Sequence, residues 1–99
     1  MDTKYKVVFL PAADKNLVDI DNYLNQFYPN TAANFFSKLD KKISHLQTNP
    51  YTGAIYICNE NYRKLTVGDY LVFYVVDEKK NTVEVHRVLH GSRDTVRHL

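Results

Sequence analysis

An α+β domain, with its helices ahead of a largely antiparallel sheet, is predicted by three observations. The first half of the chain carries two stretches whose apolar residues recur at spacings of three and four. The second half carries runs rich in β-branched and aromatic residues, separated by turn signals. The 99 residues leave room for a single core, so both halves must share it in one domain spanning residues 1–99.

The elements follow in order. Tyr5-Lys6-Val7-Val8-Phe9-Leu10 reads as a strand closed by Pro11. Proline suits a first helical turn, so a helix starts there, with Leu17, Ile20, Leu24 and Phe27 as its apolar stripe. Tyr28-Pro29-Asn30 reads as a turn, and a second helix is expected from near Thr31. Its stripe is Ala32, Phe35, Leu39, Ile43 and Leu46, and it ends at Asn49-Pro50, because the residue before proline avoids the helical region. The pair forms an antiparallel helical hairpin. Residues 51–61 hold a Thr-Gly turn and the short apolar run Ala54-Ile55-Tyr56-Ile57.

Residues 62–67 form a candidate strand, and Gly68-Asp69 a turn. The run from Tyr70 to Val76 is almost wholly apolar, so both its faces should be covered. A charged loop at 77–81 leads into a strand at 82–89. Strict alternation there groups Val83, Val85, Arg87 and Leu89 on one face, and Glu84, His86, Val88 and His90 on the other. Gly91 breaks the pattern, and a short tail follows. The predicted fold is thus an N-terminal strand, a two-helix antiparallel hairpin and an antiparallel β-meander forming one sheet, with a short C-terminal tail.

Composition excludes several classes. Hydrophobic residues make up 44% of the chain, with eight Tyr, five Phe, three Gly and three Pro, which argues against disorder and low-complexity sequence. A formal charge of +2 excludes a histone-like polycation. A single cysteine, Cys58, excludes an internal disulfide framework, and with no activating neighbour it reads as a small buried thiol. The first residues lead into only four apolar positions, so neither a secretory signal nor a membrane span is expected, and a cytoplasmic location is.

Residues capable of chemistry concentrate late in the chain. Arg63 and Lys64 share a strand, and His86, Arg87, His90, Arg93, Arg97 and His98 crowd the C-terminal segment. Such a bias suits a phosphate backbone, with Tyr62, Tyr70 and Tyr74 near enough in sequence to stack on bases. It equally suits a solvated sheet face. His45, beside Leu46, reads as structural. His86 and His90, four residues apart on a strand, would stand about 13 Å apart, too far to share one metal ion. No metal site is expected. His90 ends its strand at Gly91, where it is a candidate acid–base group or a hydrogen-bonded structural histidine. Ser92 with His90 and Asp94 lies too close in sequence for triad geometry.

The order of elements, Asn49-Pro50, the stretch Tyr62-Arg63-Lys64-Leu65-Thr66-Val67-Gly68-Asp69-Tyr70-Leu71-Val72-Phe73-Tyr74 and the stretch Val88-Leu89-His90-Gly91-Ser92-Arg93-Asp94 together resemble the RelE/ParE family of bacterial type II toxins. The resemblance covers nearly the whole chain. It implies a growth-arresting toxin neutralised by a cognate antitoxin that covers sheet edges and hairpin grooves. It implies no cofactor, no metal and no membrane.

Two mechanisms fit the resemblance. In the RelE-like branch, a ribosome-dependent endoribonuclease cleaves mRNA. Lys64 stands where those enzymes carry a catalytic lysine, and Asp69 matches an acidic residue of a histidine-dependent group. His90 or Asp69 would then be general base or acid, with Lys64, Arg63, Arg87, Arg93 and Arg97 on RNA phosphates. In the ParE-like branch, the toxin inhibits DNA gyrase by binding. Leu71 stands where RelE-type enzymes usually place arginine, and the Arg87-Val88-Leu89-His90 ending is ParE-like, so the reading leans to gyrase. The target is therefore gyrase, or ribosome and mRNA. Outside both stands a degenerate binding module whose basic face is only a solvated sheet.

Overall fold

Pro11 opens the first helix without a side-chain cap, because its missing N–H is one that a helix start leaves unpaired in any case. The computed structural model describes residues 4–91. Strand β1 (Lys6–Phe9) leads into helix α1 (Pro11–Phe27), helix α2 (Pro29–Thr48) and strands β2 (Ala54–Ile55), β3 (Arg63–Val67), β4 (Tyr70–Asp77) and β5 (Thr82–His90). The five strands form one sheet in the order β1-β5-β4-β3-β2. Strands β2 to β5 are antiparallel, as expected of a meander. β1 adds a parallel edge beside β5, with Val7 opposite Val83.

The helix boundary differs from expectation. α2 begins at Pro29, not near Thr31, and Tyr28 alone joins the helices with φ −145° and ψ 66°. Pro29 bars Tyr28 from the helical region while itself fitting a first turn, so one residue suffices for the reversal. The stripes otherwise face the sheet: Ala13, Ile20 and Leu24 from α1, and Ala32, Phe35, Leu39 and Leu46 from α2, are buried. Leu17 and Ile43 pack against this core. Phe27 does not; it is 56% exposed at the tip of the hairpin.

The alternation expected along β5 fails at His86. Phe73 pairs with Arg87 but Tyr74 pairs with Val85, so His86 is an extra residue, a β-bulge. The bulge shifts the parity. Val83, Val85 and Val88 all enter the core beneath the helices, while Leu89 packs on the opposite face with Tyr56 and Phe73. His86 and His90 therefore do not share a face. β4 has both faces covered, as its apolar run required. Val72 and Tyr74 lie under the helices, and Phe73 lies in the smaller cluster with Tyr56 and Leu89.

α1 also closes a gap in the sheet. β1 ends opposite Val85, and beyond it Asn16 Oδ1 accepts the Val88 N–H at 3.1 Å. The buried strand donor is thus paired by a helix side chain. Cys58 is exposed, contrary to expectation, in the irregular segment after β2.

Candidate functional site

Two surfaces collect the polar groups. The first is an open groove of about 850 Å³ between the helical hairpin and the far end of the sheet, where Asp19, Tyr23, Lys38, Asp69 and His90 meet. Its floor is set by backbone. Val67 and Tyr70 pair across the two-residue turn Gly68-Asp69, and Gly68 takes φ +58°, the left-handed region that favours glycine. The Gly91 N–H donates to Asp69 O at 2.8 Å and pins the end of β5 to this turn. Tyr70 stacks against His90 edge-on at 5.2 Å and against Phe35 at 4.9 Å, so the imidazole is held toward the helices.

At the hairpin tip lie Tyr23, Phe27 and Tyr28, which are 50%, 56% and 54% exposed. Their rings stand 5.1 to 6.5 Å apart. A contiguous exposed aromatic patch beside a groove is the surface anatomy of a docking site.

The second surface is the sheet face away from the helices. Cross-strand partners share a face, so Lys64 opposite Phe73, and Phe73 opposite Arg87, put both cations on this side. The Lys64 ammonium lies 5.9 Å from the Tyr56 ring centroid. Arg87 Nη1 donates to His86 O at 3.0 Å.

The expected catalytic residues are thus divided. Asp69 and His90 line the groove, while Lys64 lies across the sheet from them. Arg63 is engaged elsewhere: its Nη1 donates to Gly53 O at 2.8 Å and Tyr51 O at 3.2 Å, and its guanidinium covers the Tyr51 ring at 5.0 Å. It clamps the turn ahead of β2. Arg93 and Arg97, with Ser92 and Asp94, lie outside the described residues. Among the described residues no cluster of three or more His, Cys, Asp or Glu could hold a metal ion.

Sequence reasoning missed one constellation. Tyr62 Oη lies 3.2 Å from His86 Nδ1, with the rings edge-on at 5.1 Å. Glu84 Oε1 lies 3.6 Å from His86 Nε2, an atom that is buried and without a hydrogen bond. The bulge aims His86 at Tyr62. Its trace in the sequence is the spacing of three between Val85 and Val88 in a strand that otherwise alternates.

Two phenols are perturbed. Tyr51 donates to the Glu78 carboxylate, and this bond holds its pKa up at about 12. Burial pushes the Tyr74 phenol up, against the Gly53 N–H it accepts at 2.9 Å and the nearby Arg63 charge. A phenol whose folded pKa is raised stabilises the fold fully below its unfolded pKa of about 10 and loses that contribution as pH rises through the folded value. The urea midpoint is expected to fall between pH 9 and strongly alkaline pH, and Tyr74→Phe is expected to flatten that decline.

The sequence model described as the ParE toxin of the type II toxin–antitoxin system parDE matches residues 7–95. A search of curated proteins gives no match. Among solved structures, a chain of the chromosomal ParDE system from P. aeruginosa superposes with TM-score 0.73 at 15% identity, covering 89% of this chain and 97% of that one. A chain of the RelBE2 toxin–antitoxin complex from Mycobacterium tuberculosis gives 0.63 at 21%, covering 88% and 98%. The isolated E. coli RelE toxin gives 0.64 at 20%, covering 95% and 92%. At these identities the structural likeness speaks for the fold. Among the described residues no helix is long and apolar enough to cross a membrane.

Proposed function

Because the chain belongs to the ParE toxin family of type II toxin–antitoxin systems, we propose that it arrests growth in the cytoplasm by binding DNA gyrase and is silenced by a cognate antitoxin. The observation that carries this reading is the division of the polar residues. Asp69 and His90 border the groove, Lys64 lies on the other side of the sheet, and Arg63 is bound to backbone carbonyls. Acid–base catalysis needs its groups within hydrogen-bond reach of one substrate. Inhibition by binding needs only a complementary surface. The antitoxin is a fitting occupant of the groove: an amphipathic helix would set apolar residues against Tyr23, Phe27 and Tyr28.

The second reading, ribosome-dependent mRNA cleavage, draws on Lys64 and Arg87, which share the open face. Induced expression in a bacterial host separates the two. Gyrase-linked DNA breaks with intact mRNA, persisting in Lys64→Ala and His90→Ala, are expected. Cleavage of translated mRNA that either variant abolishes would replace the gyrase reading by the ribonuclease. Co-expression tests the partner surface. Phe27→Glu places a charge among aromatic anchors and should weaken antitoxin binding by about 30-fold or more, the effect of losing one interface anchor. Unchanged affinity would move the antitoxin elsewhere.

A further inference from the structure

We propose that Tyr62 is a nucleophile activated by His86 and oriented through Glu84, on the open sheet face, and that it takes a tetrahedral phosphoryl electrophile. This goes beyond the binding reading, which gives Tyr62, His86 and Glu84 no role.

The three groups stand in the order of nucleophile, base and orienting carboxylate. Glu84 and His86 are 31% and 26% exposed, and the carboxylate oxygen faces Nε2 at 3.6 Å. A negative charge there favours the proton on Nε2. The lone pair of Nδ1 is then left toward the Tyr62 hydroxyl 3.2 Å away. Nε2 is sealed from solvent, so this histidine exchanges protons with a substrate through Tyr62. The bulge that breaks the β5 ladder is what turns the ring to this position, and bulges commonly re-aim side chains at functional sites.

The surroundings select the electrophile. Lys64 follows Tyr62 by two residues, is exposed, and lies on the face where Tyr62 packs against Phe73. Arg87 shares that face from β5. Two cations on this face suit the anionic oxygens of a phosphoryl group better than a neutral acyl carbon. In the step, Tyr62 Oη forms a bond to phosphorus. The bond from phosphorus to the leaving group breaks and its electron pair departs with that group. The phenol proton passes to His86 Nδ1, and the resulting imidazolium faces the Glu84 carboxylate.

A fluorophosphonate probe tests this on the whole protein: the Oη–P bond forms, the P–F bond breaks and fluoride leaves. Peptide mass spectrometry reads the rate at each tyrosine. Tyr62 is expected to be labelled about tenfold faster or more than the exposed Tyr23 and Tyr28. His86→Gln should bring Tyr62 down to their rate while the buried Tyr74 stays unlabelled, which also reports that the variant folds. Glu84→Gln keeps the imidazole in place and should lower the Tyr62 rate as well. Labelling of Tyr62 no faster than Tyr23, or an unchanged rate in both variants, would overturn the proposal.

Discussion

Replacing Phe73 by Ala is expected to lower the stability of the protein by about 3–5 kcal/mol, the range for truncating a fully buried aromatic. The magnitude is notable for its place. Phe73 points to the face without helices, where an exposed strand position would cost under about 0.5 kcal/mol. Yet it is 0% exposed. Tyr56 roofs it edge-on at 5.1 Å, and Leu89, Leu71 and Tyr62 close the sides. β4 lies between β3 and β5, so the cavity left by truncation would open at the centre of the sheet. Backbone there is held by ladders on both sides and cannot collapse inward. Urea unfolding at neutral pH measures the effect. A loss below about 1 kcal/mol would mean that Tyr56 falls into the space and that this small cluster is a lid and not a second core.

The same cluster bears on the open face as a functional surface. Tyr62 packs against it while its hydroxyl meets His86. Phe73→Ala would therefore disturb the tyrosine–histidine contact, whereas a substitution at exposed Lys64 would not. The two kinds of variant separate loss of fold from loss of a charged contact.

What could be read from the sequence was what repeats at short range. Ile20 with Leu24, and Phe35 with Leu39, recur at helical spacing because one turn returns them to the same face. Pro11 and Asn49-Pro50 mark helix ends through proline's own geometry. The apolar run of β4 announced a strand covered twice. What could not be read arose from pairing between distant residues. His86 bulges because the ladder from Thr82 and the ladder from His90 run out of register by one residue, and only their partners on β4 reveal it. Lys64 and His90 look alike in the sequence as candidate site residues; their separation by the sheet follows from strand parity counted through that bulge. Tyr62 and His86 meet across 24 positions of sequence. Cys58 reads as a buried thiol for want of an activating neighbour, but it is exposed beside Ile57, itself 92% exposed.

Gly53→Ala is expected to cost about 3 kcal/mol, near the top of the usual range for overpacking. A Cβ at Gly53 would stand 2.6 Å from Tyr74 Oη and 2.7 Å from Lys64 O. Neither atom can yield cheaply. Tyr74 is 0% exposed beneath the helices, and its hydroxyl accepts the Gly53 N–H. Lys64 O belongs to β3, which is paired on both sides. The carbonyl of Gly53 is bound as well, by Arg63 Nη1 at 2.8 Å. The turn is therefore fixed from three directions, and an added methyl must displace a buried phenol, a strand or both. Tyr74→Phe separates these. It removes the hydroxyl that the methyl would strike and leaves Gly53 N–H unpaired, a loss of about 1–3 kcal/mol by itself. In a double-mutant cycle the two changes should then couple, the pair costing about 1 kcal/mol less than the sum. Strict additivity would assign the whole penalty to the Lys64 carbonyl and make the β3 backbone, and not the Tyr74 hydroxyl, the reason that position 53 is glycine.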